Sequence, residues 1–527
     1  MQEFSFDPRD PTFDAGGWRL AAQVITFENT YGMAGAQVLA SSAGTAMRGD
    51  RLAWAGGQRE APGSLRIETS RRDDGIAAVV SASAGGKIRC TKLIVDGLPA
   101  TSTLLGHRWA RQGVDRNGTV VHYPATTHTA LVFLELPGGE YAYFESLDDR
   151  VRAKRFAVRQ TDGGIAVELI HEDAASEMAA STTTPPWRIG RTRDPEAIVR
   201  RHDAHTAACF GLQPWETRAD VPGWAREIAL VVALHGMHWT GYAFNTYEAM
   251  CEAIDYIGER IDGRRVLAFL PGWEGCYYWQ YGDYRPEPML GGGNGFARLA
   301  AHARERGVRL MPMFGVNCVN TNAHGYAVWG APAELRSPSG LVFQGNRPDW
   351  DASRAHDPGW QAWLNPGAPS WRGRLVEQVR SLVAAYGLEA VFFDTQHVWV
   401  NDPAHDLYAG LVALRDELKA SHPDLLVAGE GWYDALGAVT PMSQAGLPAA
   451  WPDVFAAYNR SWLHLSAGDP SRGSTGVHEL GQTEFRLADD APHIIPTLTV
   501  VDGTMSAGRE RVDAVIAQAH AYARRYL

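Results

Sequence analysis

Residues 388–394 read LEAVFFD and residues 424–430 read DLLVAGE. In each, a short unbroken apolar run ends on an acid: Ala390 to Phe393 lead to Asp394, and Leu425 to Ala428 lead through Gly429 to Glu430. Unbroken runs of this length, as opposed to alternating ones, mark strands buried on both faces, which belong to parallel sheets covered by helices. The two acids are one strand–helix unit apart. They therefore leave neighbouring strands at the same end of the sheet.

The same texture continues on both sides. Glu227 to His235 (EIALVVALH), Arg265 to Leu270 (RVLAFL) and Val308 to Phe314 (VRLMPMF) are further strands. Helices are predicted over Phe296 to Arg306 and over Trp371 to Tyr386, the latter after a Ser370 cap. Asp453 to Tyr458 and His493 to Val501 are expected strands, and Arg509 to Tyr526 a closing helix. Residues 224–527 thus read as a (β/α)8 TIM barrel with seven of its eight strands named. A doubly wound sheet would need a glycine-rich phosphate turn after its first strand, and Gly236-Met237-His238 is not one. The run Gly291-Gly292-Gly293-Asn294-Gly295 lacks the Lys-Ser/Thr of a phosphate loop and does not follow a strand.

Residues 1–190 have a different grain. Alternating runs flank Asp74-Gly75, Pro137-Gly138-Gly139 and Asp162-Gly163-Gly164, which are hairpin turns, and predict an antiparallel β-sandwich. Residues 191–223 hold a helix, capped by Asp194 with Pro195 in its first turn, and a linker from Gln213 to Gly223.

Composition narrows the function. Lys plus Arg is 49 against 60 for Asp plus Glu, a net charge of −11, the wrong sign for neutralising phosphates, so nucleic acid is not an expected partner. No stretch approaches the about 18 consecutive apolar residues of a membrane span. Met1 to Asp10 has neither part of a signal peptide, so a cytoplasmic protein is expected. The five cysteines are scattered without a CxxC pair, which indicates neither a disulfide framework nor a thiolate zinc site.

In a barrel, the polar residues that follow the strands face the active site. Here they are His235 and His238, then Trp273 and Glu274, Asn317, Asp394 with Gln396 and His397, Glu430 with Trp432, and Asp502. Two facing carboxylates are the minimum for breaking a glycosidic bond, since one protonates the departing oxygen and the other attacks or stabilises the oxocarbenium-like carbon. Asp394 and Glu430 are that candidate pair. The loop Pro271 to Tyr284 (PGWEGCYYWQYGDY) carries six aromatic rings, among them Tyr278 and Trp279. It reads either as a satellite cluster under a long loop or as a platform on which sugar faces stack. The Pro-, Gly- and Trp-rich stretch from Asn317 to Asn365 is expected to wall or cover the site. The histidines show no HxH or HExxH spacing, so no metal or other cofactor is expected.

Asn365-Pro366-Gly367 and Trp371, a helix, and then Tyr386 to Asp394 (YGLEAVFFD) resemble the approach to the catalytic fourth strand of retaining α-glycoside hydrolase barrels. The order of Asp on strand four and Glu on strand five is similar to the α-amylase clan and the endo-α-N-acetylgalactosaminidase group. The resemblance departs at Phe392, where amylase-type enzymes carry an arginine. It implies an α-linked carbohydrate substrate, Asp394 as nucleophile and Glu430 as acid/base. His235, His238, Trp273, Glu274, Tyr278, Trp279, Asn317, Gln396, His397, Trp432 and Asp502 are the expected substrate contacts. A carbohydrate-binding protein on an inactive barrel, and a metal-dependent sugar isomerase or lyase using His235 and His238, remain as alternatives. Self-association through the sandwich also stays open.

Overall fold

The computed structural model describes residues 11–42, 44–54, 59–105, 111–238, 241–276, 279–343, 360–431, 433–445, 457–463, 493–501 and 504–527. Strands from Phe13–Ala15 to Trp187–Thr192 form one large antiparallel sheet of 17 strands. One run of pairing passes from Trp18–Thr26 through Ile88–Leu98, Gly164–His171 and Lys154–Thr161 to Thr119–Tyr123. Another passes from Thr103–Leu105 through Leu131–Leu136, Glu140–Ser146, Trp187–Thr192, Gly75–Ala84 and Glu60–Arg72 to Thr45–Trp54. Strand Thr30–Ala34 joins the two. The runs face each other through edge-on ring pairs, Trp18 with Phe144 at 6.3 Å and Phe156 with Trp187 at 5.8 Å, so one apolar core lies between two layers.

The helix Pro195–Phe210 follows, with Asp194 Oδ1 accepting the Ala197 N–H at 3.0 Å and Gly211 closing it in the left-handed conformation. Next come Leu230–Leu234, Val266–Leu270, Arg309–Gly315, Ala390–Asp394, Leu426–Glu430, Met442–Ala445 and Arg460–Leu463, each parallel to the one before. The chain from His493 onward finishes the ring. Ile494–Ile495 pairs with Arg460–Leu463, and Thr497–Val500 pairs with Leu230–Leu234. Only Pro496 lies between these two end strands, and its carbonyl accepts the Val231 N–H at 3.0 Å. The result is a nearly closed parallel barrel of nine strand segments. Its interior holds Phe392, 4.6 Å from Phe269 and 5.8 Å from Trp462, so an apolar ring fills the position of the arginine in amylase-type barrels.

Several sequence expectations shift. Strand Met442–Ala445 was not anticipated, because MSQA is too short and too polar to stand out. The strand expected over Asp453 to Tyr458 instead forms at Arg460–Leu463; residues 453–456 lie outside the described residues, and Ala457 and Tyr458 form a turn. Ser370 is not a cap, since the helix Pro369–Tyr386 starts one residue earlier, after Ala368. The glycine run is the first turn of helix Gly292–Glu305, and a Cβ on Gly295 would lie 3.0 Å from the Tyr247 ring, so close helix packing explains that glycine.

Candidate active site

The barrel register aligns four consecutive strand ends: Gly315 opposite Asp394, Phe393 opposite Gly429, and Glu430 opposite Gln444. Asp394 and Glu430 stand side by side at the carboxyl end of the barrel, near enough that each shifts the other's titration. Two carboxylates this close cannot both ionise at neutral pH and hold one proton between them. Asp394 is 8% exposed, and burial together with the neighbouring Glu430 charge holds its carboxyl well above the usual range. Burial would raise Glu430 too. Its contacts with His397 (Nδ1 3.4 Å from Oε2), with Asp394 and with the Thr395 N–H at 3.0 Å outweigh that and bring it to about 2. The His397 imidazole is disfavoured as a cation by burial but raised on balance by Glu430. The side chains of Glu430 and His397 are 26% and 45% exposed, so the pair has a solvent side at Glu430 and a protein side at Asp394.

The protein side is built by Tyr281, whose O–H donates to Asp394 Oδ2 at 2.6 Å. Its ring fits only because residue 315 is glycine: a Cβ there would lie 2.1 Å from it. Tyr284 braces the same spot, donating to the Gly315 carbonyl at 2.9 Å. Thr395 has φ +64°, a conformation that costs a β-branched residue about 1–3 kcal/mol. It is held there by its hydroxyl on the Asp394 carbonyl at 2.6 Å and its N–H on Glu430. The glycines flanking Glu430 serve the same approach. A Cβ on Gly429 would lie 2.0 Å from the Gln396 amide, and one on Gly431, at φ +70°, 2.4 Å from His397.

The remaining sequence candidates separate into groups. Gln396 and His397 lie against the carboxylate strands; Gln396 Nε2 donates to Thr440 Oγ1 at 3.0 Å and its Oε1 has no partner among the described residues. The Asn317 N–H donates to Thr395 Oγ1 at 3.3 Å, while its buried side-chain amide has no partner on either atom among the described residues. Glu274 is 1% exposed, neither carboxyl oxygen has a hydrogen-bond partner among the described residues, and burial raises its carboxyl well above the usual range. His235 and His238 flank the Phe244 ring at 4.9 and 6.1 Å, and desolvation takes His238 down to about 4. Trp273 is fully buried between Phe296 and Phe314, with its indole N–H donated to the Met313 carbonyl at 2.9 Å; it packs inside the domain instead of facing its mouth. Trp279 is 40% exposed and stacks on Trp360 at 4.0 Å. Tyr278, Trp432 and Asp502 lie outside the described residues, as does residue range 344–359 of the expected cover. Among the described residues, no three His, Cys, Asp or Glu side chains converge as a metal would require. Sequence reasoning counted Tyr281 only as one ring of an aromatic loop and passed over Thr395. Gly315 ending a strand was the available signal for the first.

No family model matches the chain, and no curated protein matches it in sequence. Solved structures do match in fold. The ligand-free α-N-acetylgalactosaminidase NagBb of Bifidobacterium bifidum superposes with TM-score 0.64 at 13% identity, over 98% of this chain and 94% of that one. Its complex with Gal-NHAc-DNJ gives 0.67 at 14% identity, over 98% and 93%. The GH36 α-galactosidase AgaA of Geobacillus stearothermophilus gives 0.52 at 14% identity, over 95% and 75%. The chain, a large antiparallel β-sheet domain followed by a nearly closed parallel barrel, therefore shares a fold with these proteins over nearly its whole length.

Proposed function

We propose that this protein is a retaining α-glycoside hydrolase of (β/α)8 architecture, in which Ile494–Ile495 and Thr497–Val500 count as one strand, acting on an α-linked galactose or N-acetylgalactosamine residue. The observation that carries the reading is the Asp394–Glu430 pair, two carboxyl groups on adjacent strand ends close enough that each shifts the other's titration. Contact between them is far closer than the about 6.5–9.5 Å of an inverting pair, which must leave room for a water, and so favours a nucleophile over a water activator. The sugar class rests on the ligands and names of the fold neighbours.

In the ligand-free protein burial and the Glu430 charge raise Asp394, so attack requires that this carboxyl give up a proton. A sugar entering between the carboxyls parts them, and the proton passes to Glu430. Asp394, now an anion, keeps the Tyr281 O–H donated to it. It attacks the anomeric carbon as Glu430 protonates the departing oxygen, giving a glycosyl ester. Glu430 then takes a proton from water, whose oxygen displaces Asp394. Glu274, a neutral acid, and Asn317 and Gln396, each with unpartnered buried polar atoms, are groups a sugar's hydroxyls would complete. Trp279 and Trp360 offer a ring surface to the leaving portion.

The test is release of nitrophenol from α- and β-linked galactosides and N-acetylgalactosaminides by wild type, Asp394→Ala and Glu430→Ala. Hydrolysis of an α-glycoside with retention, lost about a thousandfold or more in Asp394→Ala, is the expected result. Glu430→Ala should lose less on a nitrophenyl leaving group, which needs little protonation. Inverted product, or full activity in Asp394→Ala, would refute the assignment.

A further inference from the structure

The loops that leave the two carboxylates do not rest on the barrel alone. Four residues past Glu430, Asp434 is 3% exposed and accepts two hydroxyls from the antiparallel domain: Tyr123 O–H on Oδ1 at 2.7 Å and Thr129 O–H on Oδ2 at 2.5 Å. Its N–H donates to the His128 carbonyl at 2.8 Å, and the adjoining Tyr433 ring stands edge-on to Tyr123 at 6.3 Å. These hydroxyls are themselves anchored. Thr129 bonds His202 Nε2 at 2.7 Å, His202 Nδ1 lies 3.1 Å from Glu145, and Arg201 ties Glu145 to Asp74. A second tie holds the loop after Asp394, where Asn401 donates to the Asp173 carbonyl at 2.9 Å and accepts the Ala175 N–H at 2.8 Å.

A domain linked only by packing would not direct buried hydrogen bonds at both loops. We propose that the antiparallel domain belongs to the catalytic apparatus: Tyr123 and Thr129, acting through Asp434, are positioning residues that hold Glu430 against Asp394 and His397, while Asn401 fixes the opposing loop. The proposal rests on the reading of Asp394 and Glu430 as the reacting pair. The leverage is short, because from Asp434 the chain reaches Glu430 in four residues and passes Gly431, whose N–H is bound to the Gln444 carbonyl at 2.8 Å. With both hydroxyls gone, Asp434 would be a buried carboxyl left with only the Ala435 N–H at 2.8 Å and would draw the loop toward water.

The experiment compares wild type with Tyr123→Phe/Thr129→Val, which keeps ring and shape but removes both hydroxyls, and with Thr129→Ser, which restores one. It reads kcat and KM on the best nitrophenyl glycoside, and the titration of His397 followed by NMR with labelled histidine. The double variant should lose about 10- to 100-fold in kcat, the scale of an ångström's misplacement, with KM within about threefold. The His397 titration should move down toward the ordinary histidine value of about 6.5 as Glu430 withdraws. Thr129→Ser should stay near wild type in both. Wild-type kcat per folded molecule with an unmoved His397 titration, even alongside a lower Tm, would overturn the proposal and leave the contacts merely structural. Should the double variant not fold, Tyr123→Phe alone carries the same readings. If wild type hydrolyses no glycoside, the proposed function fails, and the His397 titration still decides whether the domain positions Glu430.

Discussion

Tyr281→Phe removes one oxygen atom, and the structure says what that oxygen does. Its O–H meets Asp394 Oδ2 at 2.6 Å in a buried setting, while the ring is wedged against Gly315. Phenylalanine keeps the ring, so packing should survive. The lost hydrogen bond has two values. In the resting protein Asp394 is protonated, and a neutral hydrogen bond contributes about 0.5–1.5 kcal/mol to stability. Once Asp394 ionises for attack, the same donor faces a charge and is worth about 1.5–3 kcal/mol. At 1.36 kcal/mol per tenfold, the excess of about 1–1.5 kcal/mol is a loss of about 5- to 15-fold in kcat/KM, beyond any loss of fold. The sign in pH follows. Tyr281 lowers the Asp394 pKa, so its removal raises it, and the basic limb of kcat/KM, where the pair loses its one proton, should move upward by about one pH unit. The assay is kcat/KM against pH on a nitrophenyl α-glycoside, with denaturant unfolding alongside. A variant within about twofold of wild type, with an unmoved basic limb, would show that Asp394 does not react as the anion.

Gly431→Ala places a Cβ 2.4 Å from His397 at φ +70°, and should cost about 1–2 kcal/mol of backbone strain and lower kcat more than it lowers Tm; equal activity would mean that the Glu430 turn is not tightly held. Asp203, buried with Tyr458 O–H on Oδ2 at 3.1 Å, is raised by burial to about 6 against 3.8 in the unfolded chain. Because its folded pKa is the higher, its stabilising contribution is full below about pH 4 and is lost as pH rises to about 6. Asp203→Asn should therefore raise Tm at pH 7.5 by an amount that vanishes near pH 4, and a gain at pH 4 as large as at 7.5 would refute it. Glu274→Gln replaces a carboxyl that is already neutral, so stability should change by less than about 1 kcal/mol while KM rises; a large loss of stability would mean that Glu274 is ionised and paired.

The barrel strands were legible because each is a short apolar run bounded by polar residues, and burial on both faces imposes that pattern locally. LEAVFFD and DLLVAGE are visible for this reason, and so is the placement of an acid at the end of each. Met442–Ala445 escaped because a four-residue strand with Ser443 and Gln444 carries too little apolar signal; its pairing with Leu426–Glu430 is a property of the sheet. Trp273 shows the opposite error. A tryptophan at a strand end looks like a ring facing the mouth, but whether it turns in or out depends on the Met313 carbonyl and the Phe296 and Phe314 rings, which come from other units of the barrel.

By itself, then, the amino-acid sequence determined the order of two folding textures, the strand ends, and the two acids that leave them, since these follow from hydrophobic periodicity within about ten residues. Only the tertiary structure decided that those acids come close enough to shift each other's titration, that Tyr281 turns inward onto Asp394, and that Tyr123 and Thr129 reach Asp434 across more than three hundred positions. Hydrogen-bond partners and desolvation depend on what surrounds a group in space, and no local pattern encodes that.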